Sequence, residues 1–194
     1  MAKKSNSATK TKIISAAWKL FYEQGYDDTT VDDIVEASQT SKGSFYHYFE
    51  GKDGLLSSLS LLFDEKYNEL IPLLDAYDSA KEKLLFLNRE LFQMIENSIS
   101  CELLARMYST QLVTNGERHL LDHNRIYYKL LRKIVSEGQS AKEIKEGFSV
   151  NDVVKAYALI ERGLLYDWCV CNSEYSLSQY SAAVLPLFIS PFFA

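Results

Sequence analysis

The stretch Thr29-Thr30-Val31-Asp32-Asp33-Ile34-Val35-Glu36-Ala37-Ser38-Gln39-Thr40-Ser41-Lys42-Gly43-Ser44-Phe45-Tyr46-His47-Tyr48-Phe49 decides how this chain is read. Thr30 is a hydroxyl N-cap followed three residues later by an acid, the spacing of a capping box, and Val31, Ile34 and Val35 give an apolar stripe. A short helix ending near Ala37 follows. Four polar residues, Ser38 to Ser41, then separate it from a second helix, Lys42 to Phe49, with Ser41 as its N-cap and Gly51 beyond its end. At 100° per residue, Phe45 and Phe49 fall within about 40° of each other, whereas Gly43 and His47 point roughly opposite, flanked by Ser44 and Tyr46. Two short helices joined by such a turn have the geometry of a helix-turn-helix, whose second helix enters the major groove of DNA. On its outward face Gly43 admits a phosphate or base edge to the backbone, Tyr46 and His47 offer rings with donors and acceptors, and Lys42 can donate to guanine or phosphate. A plain three-helix bundle with a decorated surface is the alternative that face arithmetic leaves open.

Outward from this stretch, Ile13, Ile14, Ala17, Trp18, Leu20 and Phe21 recur at helical spacing, so a helix from about Ser7 to Gln24 precedes the pair and stops at Gly25. Toward the C-terminus the segments lengthen: Leu55–Leu70 before Pro72, Ser79–Asn97, Ser100–Val113 before Asn115-Gly116, Glu117–Glu137 before Gly138, Ser149–Cys171 and Leu177–Ile189. None alternates strictly, as a strand would. The expected class is all-α with about nine helices: a three-helix head over residues 1–54 and a larger helical domain over 55–194. A composition of 47% apolar and 24% charged residues with 8 Gly and 3 Pro excludes disordered and collagen-like chains. No apolar run approaches the roughly 18 residues of a spanning helix, so no membrane partner is expected. Cys101, Cys169 and Cys171 lack C-x-x-C spacing and are too few for a disulfide scaffold, and the lysine-rich start lacks a signal peptide's apolar run, which together point to the cytoplasm. The net charge of −5 argues against a general nucleic-acid coat and is compatible with reading DNA through one face.

The string from Ile13 to Leu56, with Ala17-Trp18-Lys19-Leu20-Phe21, Gly25-Tyr26, Thr29-Thr30-Val31-Asp32-Asp33-Ile34, Ser41 through Phe49, Lys52 and Leu55-Leu56, closely resembles the DNA-binding domain of TetR-family transcriptional regulators. The resemblance implies that Lys42, Ser44, Tyr46 and His47 face bases or nearby phosphates, and that Tyr48 and Lys52 grip the backbone. Thr30 would aim the first amides of its helix at a phosphate, which the helix dipole favours independently. Lys3, Lys4, Lys10 and Lys12 either add phosphate or minor-groove contacts or form a solvated tail. The family usually has Gly in the turn where this chain has Gln39. A side chain forced to positive φ costs about 1 kcal/mol, so the turn is expected to be shaped a little differently.

In the larger domain, the segment Ser149–Cys171 is apolar around much of its circumference through Val153, Val154, Tyr157, Leu164, Leu165 and Trp168. Leu177, Tyr180, Val184, Leu187 and Phe188 make a second stripe on the last helix, which Pro186 should kink. A helix apolar on more than one side must be covered on more than one side. A homodimer through these last two helices satisfies both, and TetR-like proteins dimerise there. Such a dimer predicts a roughly palindromic double-stranded operator with half-site centres about one turn, 34–36 Å, or more than one turn apart. The resemblance further implies a repressor whose central helices enclose a cavity for a small-molecule effector, with the fourth helix transmitting the cavity's state. Phe92, Ile95, Met107 and Tyr108 are candidate lining residues, as are Gln111, Tyr127 and Trp168; each also suits ordinary core. Glu161 and Arg162 either anchor a charged ligand or pair at the dimer rim. No cofactor and no catalytic residue are expected. His119 and His123 stand i, i+4 without a third ligand, so a metal-dependent enzyme is one alternative and a regulator without an effector another.

Overall fold

The computed structural model describes residues 2–113 and 118–194, apart from the side chains of residues 2–7 and Ser57. The described residues form nine α-helices: α1 Ala2–Gln24, α2 Val31–Ala37, α3 Lys42–Tyr48, α4 Leu59–Leu70, α5 Ala80–Ser98, α6 Cys101–Val113, α7 Ile126–Ser140, α8 Val150–Val170 and α9 Leu177–Ile189. Their starts are written locally. Capping boxes join Thr30 to Asp33, Ser79 to Glu82 and Ser149 to Asp152, while Ser41 and Ser176 cap α3 and α9 through one hydroxyl each. Gly25, at φ +91°, ends α1 in a conformation that side chains resist. No helix is long and apolar enough to cross a membrane among the described residues.

Three boundaries differ from the sequence reading. The first helix begins at Ala2, not Ser7, because residues 2–7 contain no breaker. A 3-10 turn, Lys52–Ser58, takes the place of the expected first turns of α4. The seventh helix begins at Ile126, because the Asp122 carboxylate accepts the Asn124 amide at 2.8 Å and makes a turn, and it runs past Gly138 to Ser140. Gly138 is a close-approach glycine, since a Cβ there would lie 2.6 Å from the Ala80 Cβ. The stop signal Asn115-Gly116 and the start signal Glu117 lie outside the described residues.

The chain divides into two units. The first runs to Ser60 and includes 102–119; in it α1, α2 and α3 pack on one another around Ile13, Ala17, Phe21, Ile34 and Phe45, each at most 1% exposed. Trp18 packs edge-on against Phe21 and donates its indole N–H to the Ser58 hydroxyl at 3.1 Å. Most of α6 belongs to this unit. In the second unit, 61–101 with 120–194, α8 packs on α7 and α9, and α5 on α7 and α9. Its C-terminus is clasped by Lys145 N–H donating to Phe192 and Ala194 N–H donating to Glu143, both at 2.8 Å.

Candidate functional site

In the head, α3 is anchored by the buried rings of Phe45 and Phe49, which pack together at 5.7 Å. Lys42, Gly43, Tyr46 and His47 are exposed, and Ser44 and Tyr48 are half-buried. The outward face is the one the spacing predicts. Gly43 has room on that face, the nearest atom to an added Cβ being Ser41 Oγ at 3.8 Å. The His47 and Tyr48 rings meet edge to face at 4.8 Å, and the Ser41 and Ser44 hydroxyls share a hydrogen bond at 2.9 Å. Gln39 adopts φ +52°, so the turn keeps the left-handed geometry that a glycine would supply and holds it with a side chain in place. Two hydrogen bonds help to fix it: Gln39 N–H to Glu36 and Thr40 N–H to Val35, at 3.0 and 3.1 Å.

Charges in the head are already engaged. Lys42 pairs with Asp32 at 2.7 Å across the turn, an acid that the sequence reading did not connect to it, and this carboxylate raises the Lys42 ammonium pKa. Lys52 is turned inward. Its ammonium donates to the Tyr26 and Asp27 carbonyls at 2.6 and 3.3 Å and lies 4.3 Å from the Tyr26 ring centroid, so at most one of its three N–H donors is left for a phosphate. Tyr26 donates to the Asp53 carboxylate, and burial together with that acceptor holds its hydroxyl far above its ordinary pKa. Arg106 of α6 bridges Asp27 at 2.9 Å and Glu102 at 2.8 Å, its guanidinium over the Tyr26 ring. Thr30 accepts the Asp33 N–H, and the Asp33 carboxylate accepts the Thr30 N–H at 2.8 Å. A phosphate at this helix start would compete with Asp33 for that donor.

The sequence candidates for an effector site divide between the units. Met107 and Gln111, buried, and Tyr108, half-buried, lie on α6 in the first. Phe92, Ile95, Tyr127, Glu161 and Trp168 are buried in the second. Two of the latter meet: Tyr127 donates to Glu161 Oε2 at 2.7 Å, while Asn88 donates to Glu161 Oε1 at 2.9 Å. Trp168 instead donates to the Tyr175 carbonyl at 2.9 Å. Glu161 is therefore core, not a dimer-rim partner of Arg162, whose guanidinium donates to the Tyr128 hydroxyl at 3.3 Å. Burial raises the Glu161 carboxyl pKa, opposed by the hydrogen bonds from Asn88 and tyrosines. His119 sits in a 3-10 turn, His119–Leu121, and His123 in the loop after it, so they do not share one α-helical face. Among the described residues no three His, Cys, Asp or Glu are grouped to hold a metal.

A groove of about 750 Å³ in the second unit was missed. Leu121, His123, Asn124, Tyr128 and Arg132 line one side of it, and Asn151, Val154, Lys155, Ala158 and Arg162 the other. The signal was present. Residues 151, 154, 155, 158 and 162 form one helical stripe, which the reading of this segment as apolar around much of its circumference passed over.

Residues 13–59 match the family of bacterial regulatory proteins, tetR family. The head is a TetR-family domain. The whole chain is 26% identical over 183 residues to the fatty acid metabolism regulator protein of Bacillus subtilis, covering 92% of itself and 93% of that relative. The solved structure of FadR from Bacillus subtilis, in complex with stearoyl-CoA, aligns over 93% of this chain and 98% of its own, with a TM-score of 0.66 and 27% identity. FadR from Thermus thermophilus, in complex with lauroyl-CoA, shares the fold with a TM-score of 0.72 over 95% of each chain at 22% identity. The family of the head and the likeness of the whole chain to these regulators together support a transcriptional regulator.

Proposed function

We propose that this protein is a cytoplasmic, ligand-responsive TetR-family repressor that binds a palindromic operator as a homodimer and leaves it when a long-chain acyl thioester of coenzyme A binds. The outward face of α3 carries the reading: Gly43, Ser44, Tyr46 and His47 project from a helix whose opposite side is locked by Phe45 and Phe49. Ser44, Tyr46 and His47 contact base edges, Gly43 admits them, and Tyr48 holds the sugar-phosphate backbone. Lys42 and, with its remaining donor, Lys52 add phosphate contacts at the expense of part of their internal pairing. Residues 1–54 supply this reader, and 55–194 supply effector binding and dimerisation. Likeness to Bacillus subtilis FadR over nearly the whole chain supports the class of effector. A coupling of about 1–3 kcal/mol between effector and DNA weakens operator binding 5–150-fold, enough for derepression.

Dimerisation has its own support in the second unit. Leu159, Tyr166 and Val170 on α8 and Tyr180, Leu187 and Phe188 on α9 are exposed although large and apolar, Leu187 to 72%. Gly163 lies on the same side of α8, with nothing within 4 Å of an added Cβ, so a second backbone can come close. Such a patch marks an interface.

Selection of duplexes from a random library at about 0.15 M salt tests the reading, followed by titration of the selected site with palmitoyl-CoA. A palindrome bound by a dimer and released by the thioester is expected; no enrichment by a folded protein would sink the repressor. His47→Ala should cost about 1–3 kcal/mol of discrimination at one operator position, checked by binding to single-base variants of the site.

A further inference from the structure

The α7–α8 groove has a chemistry that neither the head nor the core uses. Three fixed cations line it: Arg132 from α7, and Lys155 and Arg162 from α8. None of the described lining residues is a carboxylate, and among the described residues none of these three cations is within ion-pair distance of one. In a chain of net charge −5, that concentration of positive charge is a local feature of this groove. Glu161, the acid next to Arg162 in sequence, is buried with its oxygens on Asn88 and Tyr127, so it acts on Arg162 through space and not by direct pairing, as Asp152 does on Lys155.

Both guanidinium groups are held in place without being used up. Arg132 Nη2 donates to the His123 carbonyl at 2.7 Å and Arg162 Nη1 to the Tyr128 hydroxyl at 3.3 Å, each leaving four of its five N–H donors for a ligand. Planar forks of this kind bind phosphate oxygens two at a time, and three cations exceed what a single carboxylate neutralises. Beside them Val154, Ala158 and Leu121 form an apolar strip, and the His123 and Tyr128 rings stand 4.8 Å apart, surfaces against which a flat base can lie. The volume of about 750 Å³ lies within the range of small-molecule sites.

We infer that this groove is a binding site for the diphosphate end of a nucleotide-like group, with Arg132, Lys155 and Arg162 holding the phosphates. The inference rests on the effector reading above, in that an acyl thioester of coenzyme A carries such an end, and it assigns that end to residues of this chain.

The test uses the full-length protein and free coenzyme A, which has the phosphates and no acyl chain, titrated by calorimetry at several salt concentrations. Saturable binding that weakens with salt is expected, reduced by about tenfold or more in Arg132→Gln/Arg162→Gln and by a smaller factor in Lys155→Gln. Lys155 is exposed, so its variant serves if the arginine pair alters folding as judged by thermal melting. Absence of saturable binding, or variants that bind as the parent does, overturns the assignment. The operator assay separates it from the effector reading: palmitoyl-CoA that releases DNA equally from parent and Lys155→Glu keeps the effector and rejects the groove. Coenzyme A binding that depends on these cations, with no release of DNA by palmitoyl-CoA, keeps the groove and rejects the effector.

Discussion

In the head, Lys42 and Asp32 pair while their side chains stay 60% and 67% exposed, whereas in the second unit Arg125 and Asp64 pair with side chains only 9% and 12% exposed. The first arrangement costs little to open, because water takes over both charges. The second cannot open without stranding a charge in a low-dielectric interior. A surface that must exchange partners with a polyanion is built from the first kind, and a body that must keep its shape from the second. Packing follows the same division: a Cβ at Gly43 on the head would meet only Ser41 Oγ at 3.8 Å, whereas one at Gly138 in the second unit would lie 2.6 Å from the Ala80 Cβ.

Removing one partner of the buried pair should give the largest effect. Asp64→Ala leaves Arg125, which donates to both oxygens of Asp64 at 2.9 and 3.1 Å, without its carboxylate, and is expected to cost about 3–5 kcal/mol in urea unfolding. A loss below about 1 kcal/mol would show that water reaches the pair and would erase the contrast with the head. Gly138→Ala comes next. Its methyl would sit 2.6 Å from the Ala80 Cβ, so α5 and α7 must separate slightly, at about 1–3 kcal/mol by the same assay. Gly43→Ala has no such neighbour and should melt with the parent.

Glu161 sharpens the comparison through pH. Burial raises its carboxyl pKa from its ordinary value, with Tyr67, Tyr127, Tyr157 and Arg162 as its ionisable neighbours. The folded state thus keeps a proton that the unfolded chain releases near pH 4.3. Its contribution to stability is full below that pH and is lost as pH rises through the raised value, with a slope of at most about 1.4 kcal/mol per pH unit. Glu161→Gln keeps a donor-acceptor group of the same size and should flatten this fall relative to the parent across a pH series of denaturation curves. Parallel curves for the two proteins would mean that Glu161 is ionised when folded.

How much of this was legible depended on the distance over which each feature is encoded. The caps of α2, α3, α5, α8 and α9 are decided within three residues, and the outward face of α3 follows from eight, so the head was readable as a string. At position 39 the positive φ was readable but the expected change of turn shape was not found, since the turn around Gln39 holds it at φ +52° in spite of its side chain. The seventh helix was drawn too early because a helical period cannot show that Asp122 will cap a turn at Asn124. Glu161 was misplaced because its partners stand 34 and 73 residues away, and no local pattern says which face of α8 meets Asn88 and Tyr127. The α8 stripe of the groove was legible, but its other side, Tyr128 and Arg132 of α7 with Leu121, His123 and Asn124 before it, is brought there only by packing.

The smallest effect on stability, and the most informative about the head, is expected from Asp32→Asn. Both groups of its pair are exposed, so the melting temperature should not move measurably. DNA binding should move. With the carboxylate in place, a phosphate approaching Lys42 must displace Asp32 and suffers its repulsion; with an amide there, the ammonium is free for the phosphate from the start. Affinity for selected and random duplexes alike should therefore rise, and the dependence of log affinity on log salt should steepen by up to about one unit. Adding Lys42→Ala to Asp32→Asn should abolish both changes. If Asp32→Asn instead lowers affinity for the selected site alone, the pair positions Lys42 for a base, and Asp32 acts in specificity through the lysine that it holds.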